Sequence, residues 1–399
     1  MTAQLASTQV STHAFPLGYK GAGIGVYFTE TGCPAAANIS SSWYTQGSTC
    51  NNGEQPHPTG VALTLHAVAP EASIFGFDQL NRPNPTSVSP VIRIGSHSWA
   101  SYTERDYSSE DQAFDNYVYN SRVTLFNASG NAYYDSLKMS WNYNVHNRGV
   151  NEITVGAHCV GLSSTCNGVT DGLAWYSTWI NANQGAEKPE IITPTDLSLP
   201  IPVYNNVFGG TSASTPFAAG IAADIMEEWP GSVGYPEVIK AIMVAGSKSP
   251  IVFNNGSNDK KVGSAGYLRY SSFLSGNLRA ERFEANNAGV GVLVNEKKTI
   301  TSSSIEANKQ YRVAIAWLNQ GDFVMANQSQ GDGYTLNMDF DLKIYQNGVL
   351  IASSTSWNSS YEVVDFVPTS SANISIEMSR YWNSGVGKVI LAYALVEGN

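Results

Sequence analysis

A serine stands at the predicted start of a helix that is built from small side chains. The segment Gly-Thr-Ser-Ala-Ser-Thr-Pro occupies Gly210–Pro216, and a run rich in alanine continues to Met226. Pro216 fits the first turn of a helix, where its missing N–H costs nothing. Ser212 would then face unpaired N–H groups and the positive end of the helix dipole. A serine in this position is either an N-cap or a nucleophile.

The string at Gly210–Pro216 resembles the nucleophile motif of the subtilisin-like serine proteases (subtilases), Gly-Thr-Ser-x-x-Thr-Pro. The resemblance implies that Ser212 is the nucleophile. It also implies an aspartate and a histidine upstream, in that order.

A histidine segment is present upstream, with two departures from the family. Residues 55–62 run Gln-Pro-His-Pro-Thr-Gly-Val-Ala, and Ala-Pro-Glu-Ala follows in register at 69–72. This is similar to the subtilase histidine segment and places His57 at the general-base position. Pro58 replaces a glycine of the family, and Gly60 replaces its second histidine. The remaining histidines lack this context and are expected to be structural: His13, His66, His97, His146 and His158.

The acidic member is expected at the end of the first strand, in a segment similar to Val-Ile-Asp-Thr-Gly. Val26–Gly32 runs Val-Tyr-Phe-Thr-Glu-Thr-Gly, which puts Glu30 at the acidic position. A buried carboxylate there would fix the imidazole tautomer and stabilise the imidazolium, and Ser-His-Glu triads exist on other folds. Two alternatives stay open: Glu54 as the partner of His57, or a surface Glu30 in a degraded site.

An oxyanion donor is predicted between the histidine and the serine. Val123–Asn131 ends in Ala-Ser-Gly-Asn, which resembles the family's strand ending in Ala-Ala-Gly-Asn. Asn131 would donate its amide to the tetrahedral intermediate beside the N–H of Ser212. The alternative interpretation of this string is a simple turn.

Two further segments match the family in order. Arg93–Trp99 resembles the strand and loop that pair with the substrate backbone, which implies substrate contacts at Ser96, Ser98 and Trp99. Lys188–Pro194 resembles the Lys-Pro-Asp-Ile-x-Ala-Pro segment that precedes the nucleophile. The resemblance spans roughly residues 20–280, with the motifs in the family's order.

Strands alternate with helices over the first part of the chain, which predicts an α/β fold with a parallel sheet covered by helices on both faces, subtilisin-like. Candidate strands are Gly23–Phe28, Ser73–Phe77, Val91–Ile94, Val123–Asn127 and Ile153–Val155. Candidate helices are Thr59–Ala67, Glu110–Ser121, Pro216–Trp229 and Pro236–Gly246. The glycines at 21–25 precede a strand, whereas a nucleotide loop follows one, so phosphate binding is not predicted.

After about residue 283 the pattern changes to short alternating runs. Examples are Gln310–Trp317, Phe340–Tyr345 and Lys388–Tyr393, and Gln346–Gly348 is a hairpin signal. We predict two domains, 1–282 catalytic and 283–399 an all-β, jelly-roll-like sandwich.

Some residues of the predicted sandwich have two interpretations. Asp339 and Asp341 alternate along one strand and could bind calcium through oxygen, or they are solvated or turn-capping acids. The aromatic side chains are either a binding surface or sandwich core: Trp317, Trp357, Tyr361 and Trp382.

Composition limits the other possibilities. The net charge of −10 argues against nucleic acid, and no apolar run reaches the roughly 18 residues of a membrane span. Cys33 and Cys50, and Cys159 and Cys166, form two local pairs without metal-site spacing. We favour disulfides of uncertain pairing over reduced core thiols, which indicates an oxidising compartment.

The first thirty residues lack a signal-peptide pattern, so a secreted form would have lost its leader before this chain begins. Together these features predict a secreted, monomeric serine endopeptidase that acts on protein or peptide substrates. Its triad would be Ser212, His57 and Glu30, and its chemistry would need no cofactor, with structural calcium as an expectation from relatives. The alternatives are a catalytically inactive binding protein of the same fold and a peptide ligase that uses the same serine.

Overall fold

The computed structural model describes most of the chain. The described residues are 1–78, 82–99, 107–135, 139–142, 145–160, 171–179, 187–248, 266–274, 276–285, 293, 296–302, 305–320, 336–356, 359–383 and 388–397.

The helices and strands alternate in the first two thirds, and strands alone follow. The α-helices are α1 (Thr2–Ser7), α2 (Phe15–Leu17), α3 (Pro56–Val68), α4 (Ser109–Ser121), α5 (Thr211–Glu228) and α6 (Pro236–Ala245). The strands that precede α5 are β1 (Gly25–Glu30), β2 (Tyr44–Gln46), β3 (Ser73–Asp78), β4 (Ile92–His97), β5 (Thr124–Ala128), β6 (Tyr133–Asp135), β7 (Ser140–Asn142), β8 (Ile153–Val160), β9 (Asp171–Leu173), β10 (Ile191–Pro194), β11 (Leu197–Ser198) and β12 (Val207–Phe208). The later strands are β13 (Ser247–Lys248), β14 (Tyr267–Leu268), β15 (Leu278–Ala285), β16 (Lys297–Ser302), β17 (Tyr311–Trp317), β18 (Met338–Gln346), β19 (Val349–Ser354), β20 (Tyr361–Phe366), β21 (Ile374–Asn383) and β22 (Val389–Glu397).

A mostly parallel sheet forms the centre of the first part, in the order β13-β14-β10-β8-β5-β4-β1-β3-β2, with β9 beside β8. Its strands are buried on both faces because helices cover both. Along β1, Val26 and Phe28 pack with α3 and α5, whereas Tyr27 between them packs toward Phe114 of α4. The predicted α/β class and the helices on both faces are confirmed.

The carboxyl ends of the central strands form one edge of this sheet. Strand β1 pairs with β3 on one side and with β4 on the other. In open α/β sheets, functional groups collect where the strand order reverses. Glu30 ends β1, Ser98 follows β4, and Asn131 comes shortly after β5.

Helix α5 is packed as closely as its small residues predict. A Cβ on Gly220 would lie 2.7 Å from Val68 of α3, so only glycine permits this approach. The expected position of Pro216 was wrong. The helix begins at Thr211 with Gly210 as its N-cap, which places Pro216 inside the helix. A proline there removes the N–H that would bond the carbonyl of Ser212, and other bonds hold this turn, including Thr215 Oγ1 to the Thr211 carbonyl at 2.8 Å.

The last part of the chain forms two antiparallel four-stranded sheets, β15-β22-β17-β20 and β16-β21-β18-β19. Their facing side chains, such as Phe340 and Trp317, are fully buried in a second core, to which Tyr107 and Val150 of the first part also contribute. The predicted sandwich is therefore confirmed. Its hairpin turn is also confirmed, because Asn347 and Gly348 both have positive φ between β18 and β19. The domain division at 282/283 stays a prediction, and β15 runs across it.

Two of the four aromatic residues singled out in the sequence are buried, and the side chain of Trp382 lies outside the described part of the structure. Trp317 is fully buried and Tyr361 is 3% exposed, so both are core residues and not a binding surface. Trp357 lies outside the described residues. No helix in the described part of the chain combines the length and apolar character needed to cross a bilayer.

A buried carboxyl group lies in α5. Asp224 is fully buried, and within the described part of the chain neither of its side-chain oxygens has a hydrogen-bond partner. Burial, and then the charge of Glu227, raises the pKa of Asp224 well above its ordinary value. At pH values between the unfolded and the folded pKa, folding therefore binds a proton at Asp224.

We expect Asp224→Asn to stabilise the protein increasingly as pH rises. The folded pKa is raised, so the wild-type free energy of unfolding falls from the unfolded pKa of about 3.9 toward the folded pKa. The asparagine does not titrate, so the stability gap between variant and wild type should widen by about 1.4 kcal/mol per pH unit in that range. Thermal unfolding at pH 5 and pH 7 measures this gap. An unchanged gap would contradict it, and the exposed Glu71→Gln serves as control.

Candidate functional site

A buried carboxylate holds the histidine of the candidate site. Glu30 is 3% exposed at the end of β1, and its Oε2 lies 2.9 Å from Nδ1 of His57. His57 is the second residue of α3, which begins at Pro56 after an extended Gln55. A carboxylate on Nδ1 directs the other ring nitrogen, Nε2, away to act as a base.

The segments that carry Glu30 and His57 are joined beside this contact. The Cys33 N–H donates to the Gly53 carbonyl at 2.9 Å, and the Gln55 N–H donates to the Cys33 carbonyl at 2.8 Å. A disulfide links Cys33 to Cys50. Two backbone bonds and one covalent link thus close the loop between the acid and the base, which confirms the first predicted cysteine pair. Cys159 is also disulfide-bonded, and Cys166 lies outside the described residues.

Asp78, which belongs to none of the motifs above, fixes the same loops. It ends β3 beside Glu30 and accepts N–H groups from Gly32, Asn51 and Asn52 at 2.6–2.9 Å. Burial raises the pKa of Asp78, but the hydrogen bonds, led by the Asn52 side chain, lower it to about 2. Since this pKa is depressed, the stabilisation is present above the unfolded pKa and is lost as pH falls through about 2. Asp78 could have been found from the sequence, because it is an acidic residue at the end of the predicted strand that follows the His57 segment.

The alternative partner, Glu54, points elsewhere. Its Oε1 accepts the N–H of Ala36 at 3.0 Å in an exposed position. The carboxylate that contacts His57 is that of Glu30. The structure thus brings Glu30 and His57 together and directs Glu54 to a loop.

Electrostatics at His57 favour its protonated form. Burial, the largest influence, lowers the pKa of His57, whereas the charge of Glu30 and its hydrogen bond raise it. The combined effect of Glu30 prevails, so the pKa of His57 stands above that of an ordinary histidine. The imidazolium is thereby stabilised, and the neutral base form is favoured only at pH values above this raised pKa.

The backbone just before Ser212 is held by two hydroxyl groups. Gly210 has φ of 78°, and its N–H donates to the hydroxyl of Tyr176 at 3.2 Å. Its carbonyl accepts from Thr195 Oγ1 at 3.0 Å, and the two hydroxyls are 2.9 Å apart. Tyr176 and Thr195 carry no sequence signal for this role, because the contacts form only in the folded chain.

Ser212 is half-buried as the second residue of α5. Among the described residues, its Oγ makes one hydrogen bond, which it donates to the carbonyl oxygen of Ser98 at 3.0 Å. It makes none to His57 in this part of the chain. The predicted nucleophile and the predicted substrate-binding loop are therefore in direct contact.

Asn131 lies beside the same turn. Its Oδ1 accepts the Thr211 N–H at 3.0 Å, and its exposed side chain leaves Nδ2 available as a donor. A Cβ on Gly210 would lie 3.0 Å from that Nδ2. The backbone of Asn131 forms an antiparallel β-bridge with Ser177, which fixes its position. Its amide thus stands next to the residue that precedes the Thr211–Ser212 helix start.

The three predicted substrate-binding residues lie in different environments. Ser96 is fully buried inside the sheet, with Phe28 and Phe126 as its neighbours in β1 and β5. Ser98 is 3% exposed and presents its carbonyl to Ser212. The ring of Trp99 donates to Thr29 Oγ1 at 3.2 Å, which turns the side chain onto the sheet.

The absence of the family's second histidine has a steric explanation. A Cβ on Gly60 would lie 2.6 Å from the ring of Phe208. The same ring meets the imidazole of His57 edge to face, with centroids 5.5 Å apart. Phe208 thus fills the space above Gly60 and packs against His57.

We expect Gly60→Ala to disturb this packing. The added methyl must displace Phe208, which should destabilise the protein by about 1–3 kcal/mol and loosen the packing of the His57 ring. Thermal unfolding and NMR of the His57 ring measure both effects. Gly231→Ala is the matched control, since a Cβ there meets nothing within 4 Å. Equal behaviour of the two variants would refute the steric account.

The remaining histidines occupy other packing positions. His97 is buried, its Nε2 lies 2.9 Å from the Tyr27 hydroxyl, and burial with the charge of Arg82 lowers its pKa to about 3. His66 stacks on Trp43. His13 Nδ1 lies 2.9 Å from Thr12 Oγ1, the His146 ring lies over Gly130, and His158 stacks on Tyr267.

A calcium site at Asp339 and Asp341 stays a prediction. Asp339 is 6% exposed, and its Oδ1 has no partner in the described part of the chain. Burial and the charge of Asp341 raise the pKa of Asp339 to about 7. Lys343 Nζ lies 3.7 Å from Asp341 Oδ2. Calcium needs 6–8 oxygen ligands, and these described residues supply two carboxylates beside a lysine, so they do not complete such a site.

A serine at a helix start and a carboxylate-bound histidine, at the carboxyl edge of a parallel α/β sheet, are the parts of a serine hydrolase site. The sequence pattern of the Subtilase family matches residues 51–267, more than half of the chain. The chain therefore belongs to the subtilase family, a family of serine proteases.

Solved structures give fold-level likenesses of low sequence identity. A serine protease of Aeromonas sobria is 12% identical and has a TM-score of 0.45, with 96% of this chain and 89% of that chain covered. A cold-adapted subtilisin-like serine proteinase is 18% identical, with a TM-score of 0.43 and coverage of 63% and 90%. A prenylagaramide maturation protease is 16% identical, with a TM-score of 0.49 and coverage of 66% and 98%.

Proposed function

We propose that this protein is a serine endopeptidase that cleaves peptide bonds through an acyl-enzyme, with Ser212, His57 and Glu30 as its triad. The observation that carries the proposal is the 2.9 Å contact between the buried Glu30 carboxylate and Nδ1 of His57. Membership of the subtilase family supports it. Peptides and proteins are the corresponding substrates.

In this mechanism Ser212 Oγ attacks the carbonyl carbon of the scissile bond, and Nε2 of His57 takes its proton. The imidazolium then protonates the departing amine, the C–N bond breaks, and an ester to Ser212 remains. Water attacks that ester with the same base. Glu30 holds the tautomer and stabilises the imidazolium in both halves.

The oxyanion would be bound by two donors. The Oδ1 of Asn131 is occupied by the Thr211 N–H, which leaves Nδ2 to donate to the substrate oxygen. The backbone N–H of Ser212 lies in the first turn of α5, where N–H groups lack helical partners. Donors at this place stabilise the charge that develops in the tetrahedral intermediate.

One observation favours a second candidate, a non-catalytic binding protein. Ser212 Oγ donates to the Ser98 carbonyl, so acylation requires the hydroxyl to turn toward His57. If the Ser98 carbonyl retains the hydroxyl, the fold would bind peptides without cleaving them.

Hydrolysis of unfolded casein, together with labelling by a fluorophosphonate probe, separates these candidates. The endopeptidase predicts casein fragments and a covalent adduct on Ser212 located by mass spectrometry. Folded protein that neither cleaves casein nor takes up the probe would establish the binding alternative.

An extracellular location is also part of this proposal. The Cys33–Cys50 disulfide supports it, because such bonds persist in oxidising compartments. A monomeric state and structural calcium are further expectations, to be tested by light scattering and by metal analysis of the purified protein.

A further inference from the structure

Two loops border Ser212, and one buried side chain bridges them. One loop contains Ser98 and Trp99 after β4, and the other begins at Ala128, the last residue of β5, and runs to Asn131. The Nδ2 of Asn147 donates to the Ala128 carbonyl at 2.7 Å and to the Trp99 carbonyl at 3.2 Å. Asn147 is 2% exposed. Both donors of this amide are therefore committed to the two loops of the candidate site.

The residue before Asn147 supports the second loop as well. The N–H of His146 donates to the Ser129 carbonyl at 3.0 Å. The His146 ring lies over Gly130, whose φ of 106° and lack of a Cβ permit the contact. Residues 145–151, here called the brace segment, thus contact the loop immediately before Asn131.

The brace segment is itself held by the C-terminal sandwich. Asn151 and Asn319 form a reciprocal pair: Asn151 Nδ2 donates to the Asn319 carbonyl at 2.6 Å, and the Asn319 N–H donates to Asn151 Oδ1 at 2.8 Å. The Val150 carbonyl accepts from Ser360 Oγ and from Lys240 Nζ. Asn319 follows β17 and Ser360 precedes β20, so both belong to the sandwich.

We propose that Asn147 is a positioning residue that sets the oxyanion side of the site, and that the sandwich holds it in place through the brace segment. The proposal rests on the proposed endopeptidase function. Asn147 reaches the loop of Asn131 and the carbonyl-bearing loop of Ser98 with one rigid amide. A change in that amide therefore alters the position of the Asn131 amide relative to the Ser98 carbonyl, which binds the Ser212 hydroxyl.

The physical basis is the sensitivity of catalysis to geometry. A displacement of about 1 Å in a positioned group can cost 10²-fold in rate. Without Asn147, the carbonyls of Ala128 and Trp99 lose a shared donor, and the two loops are free to separate. A purely structural asparagine would lower stability but would leave the contribution of Asn131 unchanged.

A double-mutant cycle tests the proposal with peptide hydrolysis as readout. We expect Asn147→Ala to lower kcat about 10–10²-fold with a smaller change in KM. In an Asn131→Ala background, the further loss from Asn147→Ala should shrink to a few-fold, because Asn147 acts through Asn131. Equal losses in both backgrounds would overturn the proposal and leave the endopeptidase function standing.

Hydrogen exchange provides a readout that does not depend on activity. Asn147→Ala, or Asn147→Ser if the alanine variant fails to fold, should speed exchange at residues 96–99 and 128–131. Asn277→Ala is the matched control, since its Nδ2 donates to the Ser271 carbonyl at 3.2 Å away from the site. If wild type does not cleave peptides, the proposed function fails. Hydrogen exchange then still shows whether Asn147 holds the two loops. Exchange at these loops equal to the control would overturn it.

The role of the sandwich has its own variant. Ser360→Ala changes a residue of the sandwich and removes the hydroxyl that donates to the Val150 carbonyl and lies 3.3 Å from Lys240 Nζ. We expect faster exchange over the brace segment and a several-fold lower kcat. Unchanged exchange there would show that the sandwich does not support Asn147.

Discussion

Replacing Ser212 with alanine should lower the kcat of peptide hydrolysis about 10⁶-fold, a magnitude measured in a member of this same family. The expectation follows from the position of Ser212 at the start of α5, beside Asn131 and at the edge that holds the Glu30–His57 pair. The variant should also lose all labelling by a fluorophosphonate probe. Its fold should persist, because the Oγ makes one hydrogen bond among the described residues.

Ser214→Ala is the matched control for this experiment. Ser214 lies two residues further along α5, and its hydroxyl donates to the Pro194 carbonyl at 3.2 Å, on the buried side. It should keep probe labelling at Ser212. If wild type and Ser212→Ala cleave casein at the same rate, the serine mechanism is wrong.

Neutralising Glu30 should have the second largest effect. Glu30→Gln should lower kcat about 10⁴-fold near neutral pH, the loss seen when a triad acid is neutralised elsewhere. The amide cannot stabilise an imidazolium, and its NH₂ group favours the wrong histidine tautomer. Glu30→Asp should fall between wild type and Glu30→Gln. β1 is fixed between β3 and β4, so a shorter side chain cannot keep the 2.9 Å contact with His57.

The pKa of His57 offers an independent measurement of the same pair. Glu30 raises this pKa and burial lowers it. Glu30→Gln removes the raising contribution, so the pKa of His57 should fall, which NMR titration of the ring can follow without any activity. Glu54→Gln is the control, because the Glu54 carboxylate binds the Ala36 N–H. A His57 pKa that responds to Glu54 and not to Glu30 would identify the other partner.

Motifs at strand ends explain why much of the candidate site was predictable. Glu30, Ser98 and Asn131 each follow or end an apolar strand, and the carboxyl ends of parallel strands meet at one edge. A motif at the end of a predicted parallel strand therefore predicts a position at the carboxyl edge of the sheet. The strings around His57 and Ser212 belong to helix starts, which local residues also specify.

Ser96 and Pro216 show where local patterns are insufficient. Ser96 lies in the same motif as Ser98, yet the strand pairs on both sides and buries it. Pro216 suggested a helix that begins near it, but α5 begins at Thr211, whose N–H donates to Oδ1 of Asn131. Both outcomes depend on neighbours that are distant in sequence.

The residues in each motif and the order of the motifs along the chain were sufficient to predict the family and to select the candidate residues. The spacing of apolar residues was sufficient to predict the α/β sheet and the C-terminal sandwich. Such features depend on residue type and short-range periodicity, which any reader of the chain can see. The sequence did not determine the carboxylate that contacts His57, since Glu30 and Glu54 were both possible. The parallel register of β1 with β3, the Cys33–Cys50 link and the burial of Glu30 decide the contact. The reciprocal hydrogen bonds of Asn151 and Asn319 likewise form only after residues 168 positions apart have met.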